Sequence, residues 1–150
     1  TERLIEALEL FRETGDLERV AWVWQCLGFL ALDQDDVTAA TLHLRDAFML
    51  RRSQSHLPGL AITLDGLAVV ALQTGGPSDA RDFFTVADKL RVAAGMRLLT
   101  EEPVVLTARR ASGMSHVEPD QVTVPIDQLL QTAERLLSAT LARALPPSTS

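Results

Sequence analysis

A chain of 150 residues with 47% hydrophobic and 23% charged residues has the balance of one globular domain with a real core, which excludes wholesale disorder. The net charge is −6 and Lys89 is the single lysine among 14 basic residues, so the surface suits a phosphate backbone poorly and direct nucleic-acid binding by this segment is not expected. No apolar run approaches the roughly 18 residues that span a bilayer, the N-terminus has no signal-like pattern, and the lone Cys26 rules out an intramolecular disulfide, so a reducing, cytoplasmic setting is expected.

Ala, Leu, Arg, Glu and Gln dominate, Tyr is absent, and the periodicity is helical throughout. The first predicted helix is Glu2 to Thr14. A second runs from about Leu17 to Leu32 with Asp16 as its cap, and a third from about Val37 to Ser53 with Asp36 as its cap. A fourth begins near Pro58, a first-turn proline, and ends by Thr74; Gly75-Gly76 turns the chain. Pro77 opens the fifth, with Asp79 at its positive end, and Gly95 closes it. A sixth spans about Glu101 to Ala111 and stops near Gly113. "MSHVEPDQVTVP" is a polar connector, and Ile126, Leu129, Leu130, Ala133, Leu136, Leu137 and Leu141 mark an amphipathic seventh helix of about Pro125 to Ala144. Residues 1–145 thus read as a single domain, with 146–150 as a disordered tail.

Sliding the chain by forty exposes a repeat. Trp24 falls on Leu64, Leu27 on Leu67, Gly28 on Ala68 and Ala31 on Ala71; Ala40 falls on Ala80, Leu44 on Phe84, Ala47 on Ala87 and Leu50 on Leu90. Small residues at Gly28 and Ala40 let the two helices of a unit approach, and Leu27, Leu44 and Trp24 fill the surrounding space. This spacing resembles the tetratricopeptide (TPR) pattern of antiparallel helix pairs, stretched from 34 residues to forty. The expected fold is therefore all-α, a TPR-like superhelix with an extra C-terminal helix. Glu2 to Thr14 matches only the second half of a unit. Beyond Gly95 the forty-residue register fades.

No catalytic or cofactor-binding constellation is legible. His43, His56 and His116 share no metal-ligand spacing with each other or with Cys26, which reads as a small buried hydrophobe. Neither a Ser–His–Asp grouping nor a phosphate-binding loop is present, and Asp33, Asp35 and Asp36 lack the glycine and terminal glutamate of a calcium loop. Arg109-Arg110 with Arg97 reads as a solvated face. The chain is expected to be no enzyme, without cofactor or metal.

The unusual side chains lie on the concave face that the first helices of the units would form. That face carries Trp22, Gln25, Phe29 and Asp33, then Ile62, Asp65, Val69 and Gln73, and it is markedly apolar. Packing of the C-terminal helix into this groove is one reading; a pocket for a partner helix or small effector is the other. Leu4, Leu8 and Phe11, which have lost part of their expected cover, are interface candidates for a homodimer, together with the Leu stripe of the last helix.

"LDGLAVVALQTGGPSDARDFF" (Leu64 to Phe84) and "ADKLRVAAGMRLLTEEP" (Ala87 to Pro103) resemble the C-terminal helical-repeat region of bacterial LuxR-type transcriptional regulators with a STAND-class NTPase. The likeness runs from about Leu42 to Arg110. It implies a non-catalytic regulatory or protein-interaction module belonging to a longer regulator, with a partner protein or a second copy as its ligand. The alternative is a stand-alone TPR-like adaptor that binds a protein or peptide.

Overall fold

The computed structural model describes residues 1–96, 102–114 and 124–146. Among the described residues seven helices follow one another: α1 (Glu2–Thr14), α2 (Leu17–Asp33), α3 (Val37–Ser53), α4 (Leu57–Gln73), α5 (Pro77–Ala93), α6 (Pro103–Ala111) and α7 (Ile126–Ala144). Among the described residues there is no strand, so the chain is all-α. None of these helices is long and apolar enough to cross a membrane. Arg97, His116 and most of the predicted connector and tail lie outside the described residues.

The chain turns by one device, used every twenty residues. Gly15, Asp35, Ser55, Gly75 and Gly95 all adopt the left-handed conformation, with φ of 73°, 57°, 50°, 82° and 71°. The amide of the next residue reaches back over the helix end: Asp16 to Phe11 O at 2.9 Å, Asp36 to Ala31 O at 2.9 Å, His56 to Arg51 O at 3.0 Å, Gly76 to Ala71 O at 2.8 Å, and Met96 to Arg91 O at 2.9 Å. This is the hydrogen bond of a Schellman stop, and it satisfies carbonyls the helix leaves open. At Asp16, Asp36, His56 and Gly76 the same residue then starts the next helix. Asp16 caps the Arg19 amide at 3.1 Å, Asp36 caps Ala39 at 3.1 Å, and His56 Nδ1 caps Gly59 at 2.9 Å. The forty-residue repeat is thus two turns of a twenty-residue rhythm, and α2 to α5 are each 17 residues long.

Asp35 and Ser55 hold this conformation without being glycine. For a side chain such as serine the left-handed well costs roughly 1–2 kcal/mol, and Ser55 is exposed with nothing to offset it. Ser55→Gly is therefore expected to stabilise the fold by about 0.5–1 kcal/mol after the added freedom of the unfolded chain is subtracted. Thermal unfolding should show a rise of about 2 °C. A fall would show that Ser55 makes a contact worth more than its strain.

Packing follows the order of the chain, α2 on α1 and α3, α4 on α3, and α5 on α4. One core cluster runs from α2 to α7, around Leu44, Phe48, Leu64, Leu67, Phe83, Phe84 and Leu90. A smaller one joins α1 to α2 through Leu8, Val20, Val23 and Leu27. Leu44 is the wedge between pairs. A Cβ added at Gly28 would lie 2.6 Å from Leu44 Cγ and Cδ2, and one at Gly66 2.9 Å from Leu44 Cδ1, so both glycines give the α3 leucine its seat against α2 and α4.

Two expectations are corrected here. The forty-residue spacing does not fade at α6, whose buried residues are Val105, Ala108 and Arg109, at the same places as Asp65, Ala68 and Val69 of α4 and Gln25, Gly28 and Phe29 of α2. The side chains differ, but the face that packs is the same. Second, α7 does not enter the groove between the even-numbered helices. It packs on α5, α4 and α3, burying Leu129, Ala133, Leu136 and Leu137, with ion pairs from Glu134 to Arg52 and from Arg143 to Asp79, the latter at 2.8 Å.

Candidate binding face

The eight residues expected on one groove divide into two kinds. Trp22, Asp33, Ile62 and Gln73 are exposed, whereas Gln25, Phe29, Asp65 and Val69 are buried. The four positions in each helix share one face, so the helical period does not divide them; the outer pair of each four is exposed and the middle pair is covered by neighbouring helices. Gln25 is held by Arg51 Nε at 2.8 Å, deep between α2 and α3.

What remains open is a cleft of about 430 Å³ lined by Leu4, Trp22, Gln25, Cys26, Phe29, Leu30, Asp33, Ile62 and Glu102. A second hollow of about 350 Å³ continues past Asp33 between α4 and α6, along Val69, Leu72, Gln73, Val104 and Thr107. No α7 residue lines either one. Apolar side chains form the walls, and the Asp33 and Glu102 carboxylates stand beside them. Cys26 is half-buried in the first cleft, and burial pushes its thiol up from the ordinary value, helped by the negative charge of Glu102. A thiol so placed is a weak nucleophile.

The three α1 residues expected at an interface are not bare. Leu8 is buried, and Leu4 and Phe11 are half-buried against α2, with the Arg19 guanidinium 5.5 Å from the Phe11 ring centroid. α2 supplies their cover. The large apolar side chains that do face outward nearby are Ile5, Leu10, Leu17 and Trp22.

The most heavily charged feature of the molecule is internal. Asp65 of α4, Asp88 and Arg91 of α5 and Arg109 of α6 form a closed cluster, each nine-tenths or more buried. Arg109 bonds Asp88 through Nη1 at 2.9 Å and Nη2 at 2.6 Å, and Asp65 through Nη2 at 3.1 Å. Arg91 pairs with Asp65 and, at 3.3 Å, with Asp88. The Arg109 guanidinium also lies 4.6 Å from the Phe84 ring centroid. Burial draws the Arg109 guanidinium down, but the Asp88 hydrogen bond and the charges of Asp65 and Asp88 outweigh it and hold it above its usual value. Burial pushes the Asp65 carboxyl up, against the bond and charge of Arg91. Two acids and two bases sum to zero. Arg109 is therefore no solvated phosphate contact; it is the bolt that fixes α6 to α4 and α5.

The two described histidines, His43 and His56, make structural contacts. His43 stacks on Trp24 at 5.4 Å between centroids, and the Arg12 guanidinium lies 5.3 Å from the same indole's centroid. Burial lowers the His43 pKa, with Asp46 and Asp36 pulling the other way. His56 is the cap of α4. Among the described residues no three His, Cys, Asp or Glu side chains gather as a metal site.

Sequence reasoning passed over Asp88 and Arg91 and misread Arg109. A signal was present: Asp65 is the one charged residue within α4, an otherwise apolar helix, and such a charge needs a partner. Comparison of the chain with protein-family models, with curated proteins and with solved structures returns no match to any of them.

Proposed function

We propose that this chain is a non-catalytic protein-interaction module, a TPR-like stack of antiparallel helix pairs serving a transcriptional regulator of the LuxR-type, STAND-class kind. The observation that carries the reading is the uncovered cleft of Trp22, Cys26, Phe29 and Ile62 on the even-numbered helices. α7 packs on α3, α4 and α5, and none of its residues lines this cleft. Exposed aromatic and branched apolar side chains beside a concavity favour a protein ligand. In this reading the occupant is the same face of a second copy, Trp22 and Ile62 of one chain meeting the cleft of the other, and the module does not grip nucleic acid itself.

The twenty-residue rhythm and the recurrence of one buried Arg tie per unit (Arg51 to Gln25, Arg91 to Asp65) support the repeat architecture. The regulator part is tested by the reading frame that encodes the chain. An NTPase domain or a helix-turn-helix in the same frame is expected. A frame holding neither would leave the adaptor as the function.

A further inference from the structure

Without Arg109 the ion cluster is a socket formed by α4 and α5 alone, the two helices that pack on each other most extensively. Arg91 already joins its two acids, pairing with Asp65 and, at 3.3 Å, with Asp88. Two acids against one base leave a net charge of −1 in a buried place, which calls for a cation. The Phe84 ring forms a flat wall beside them. Carboxylates held in place beside an aromatic face make a receptor for a guanidinium, whose fork takes the oxygens in its plane while the ring takes its face. Arg109 fits in that manner. Its bonds of 2.9 and 2.6 Å go to the two oxygens of Asp88 and one of 3.1 Å to Asp65, with Cζ 4.6 Å from the Phe84 centroid.

α6 brings little else to the contact. Of its nine residues only Val105, Ala108 and Arg109 are buried, and Leu106 faces solvent. Two small apolar side chains do not offset the entropy of ordering a whole short helix, which leaves Arg109 as its main tie. The tie is incomplete: Arg109 Nε is buried and has no hydrogen-bond partner among the described residues. An unmet buried donor weakens the hold of this arm on its socket. One unit earlier the same place is apolar, with Val69 where α6 has Arg109, and Gln25 and Phe48 where the socket has Asp65 and Asp88. An apolar seat holds a helix at least as well as a buried ion cluster does. What the cluster adds is selection, since it accepts a guanidinium and leaves other side chains unpaired.

We propose that α4 and α5 form an arginine receptor, that α6 occupies it as a tethered ligand, and that an arginine side chain of a partner polypeptide takes the socket when α6 swings off. No socket residue lines the cleft of Trp22 and Ile62, so the receptor stands apart from that face.

Arg109→Ala empties the socket. Methylguanidinium and methylammonium are the small probes, and acetylarginine amide and acetyllysine amide stand for polypeptide side chains. Each is added at millimolar concentration and matched ionic strength, with thermal unfolding as the readout. Methylguanidinium and acetylarginine amide should each raise the melting temperature of Arg109→Ala by about 2 °C or more. The two ammonium probes should leave it unchanged. The parent chain should respond to none of them, because tethered Arg109 outcompetes a millimolar free ligand. Adding Asp88→Asn to Arg109→Ala should abolish the response. No response to the guanidinium probes, or an equal one to the ammonium probes, would overturn the proposal. So would a methylguanidinium response unmatched by acetylarginine amide, which would leave the socket open to α6 alone. Hydrogen exchange of the parent chain reads release directly, whether or not the variant folds. The α6 amides should exchange at least about tenfold faster than those of α4 and α5. Equal protection in all three helices would mean that α6 never leaves by itself, and the receptor would then have no second ligand.

Discussion

Replacing Arg109 with methionine is expected to lower the unfolding free energy by about 3–5 kcal/mol, the range for breaking one side of a buried ion cluster. The methionine keeps most of the volume but leaves Asp65 and Asp88 with Arg91 alone, and both carboxylates are buried. The penalty comes chiefly from stranding charge, since the attraction in such clusters is largely offset by the cost of drying the ions. Adding Asp88→Leu should therefore recover part of the loss, although it removes another polar contact. Urea unfolding of the two variants measures this. A loss below about 1 kcal/mol for Arg109→Met, the scale of an exposed pair, would mean that α6 leaves the cluster open to water.

Leu44 carries the second large effect. It is fully buried, and Gly28 and Gly66 both lie against it. Leu44→Ala is expected to cost about 3–4 kcal/mol, as the cavity it leaves is walled by two helix backbones that cannot collapse. Gly28→Ala pushes a methyl into the space Leu44 already fills and should cost about 1–3 kcal/mol. Combined, the two changes should cost less than their sum by about 1 kcal/mol or more, because the new methyl then enters the vacated space. Additive costs would show that Gly28 and Leu44 are not in contact.

The helices were legible because their punctuation is chemical. Asp16 and Asp36 announce caps, Pro77 a first turn, Gly75-Gly76 a turn and Gly95 a helix stop, and each falls where the structure uses it. The twenty-residue rhythm was hidden because Asp35 and Ser55 do a glycine's task without looking like one. An amphipathic stripe shows that α7 packs but carries no address: it fits the predicted groove as well as the seat on α3, α4 and α5 that it takes. Asp65 signalled a buried charge, but its partners were out of reach for a different reason. Arg109 and Asp65 are 44 positions apart, and their meeting depends on α6 docking in the register of α4. Periodicity put the eight groove positions on one stripe but could not tell its exposed half from its buried half, which depends on how α3, α5 and α6 pack against it.

The measurement closest to the central claim is the mass of the chain in solution, by light scattering across the micromolar range. If the face of Trp22 and Ile62 is the interaction surface, the parent chain should approach twice its 16.4 kDa at high micromolar concentration. Both side chains are exposed, so Trp22→Glu with Ile62→Glu should return the monomer mass while leaving the helical circular dichroism unchanged. A parent chain that stays at 16.4 kDa throughout, or a double variant that still pairs, would contradict the account.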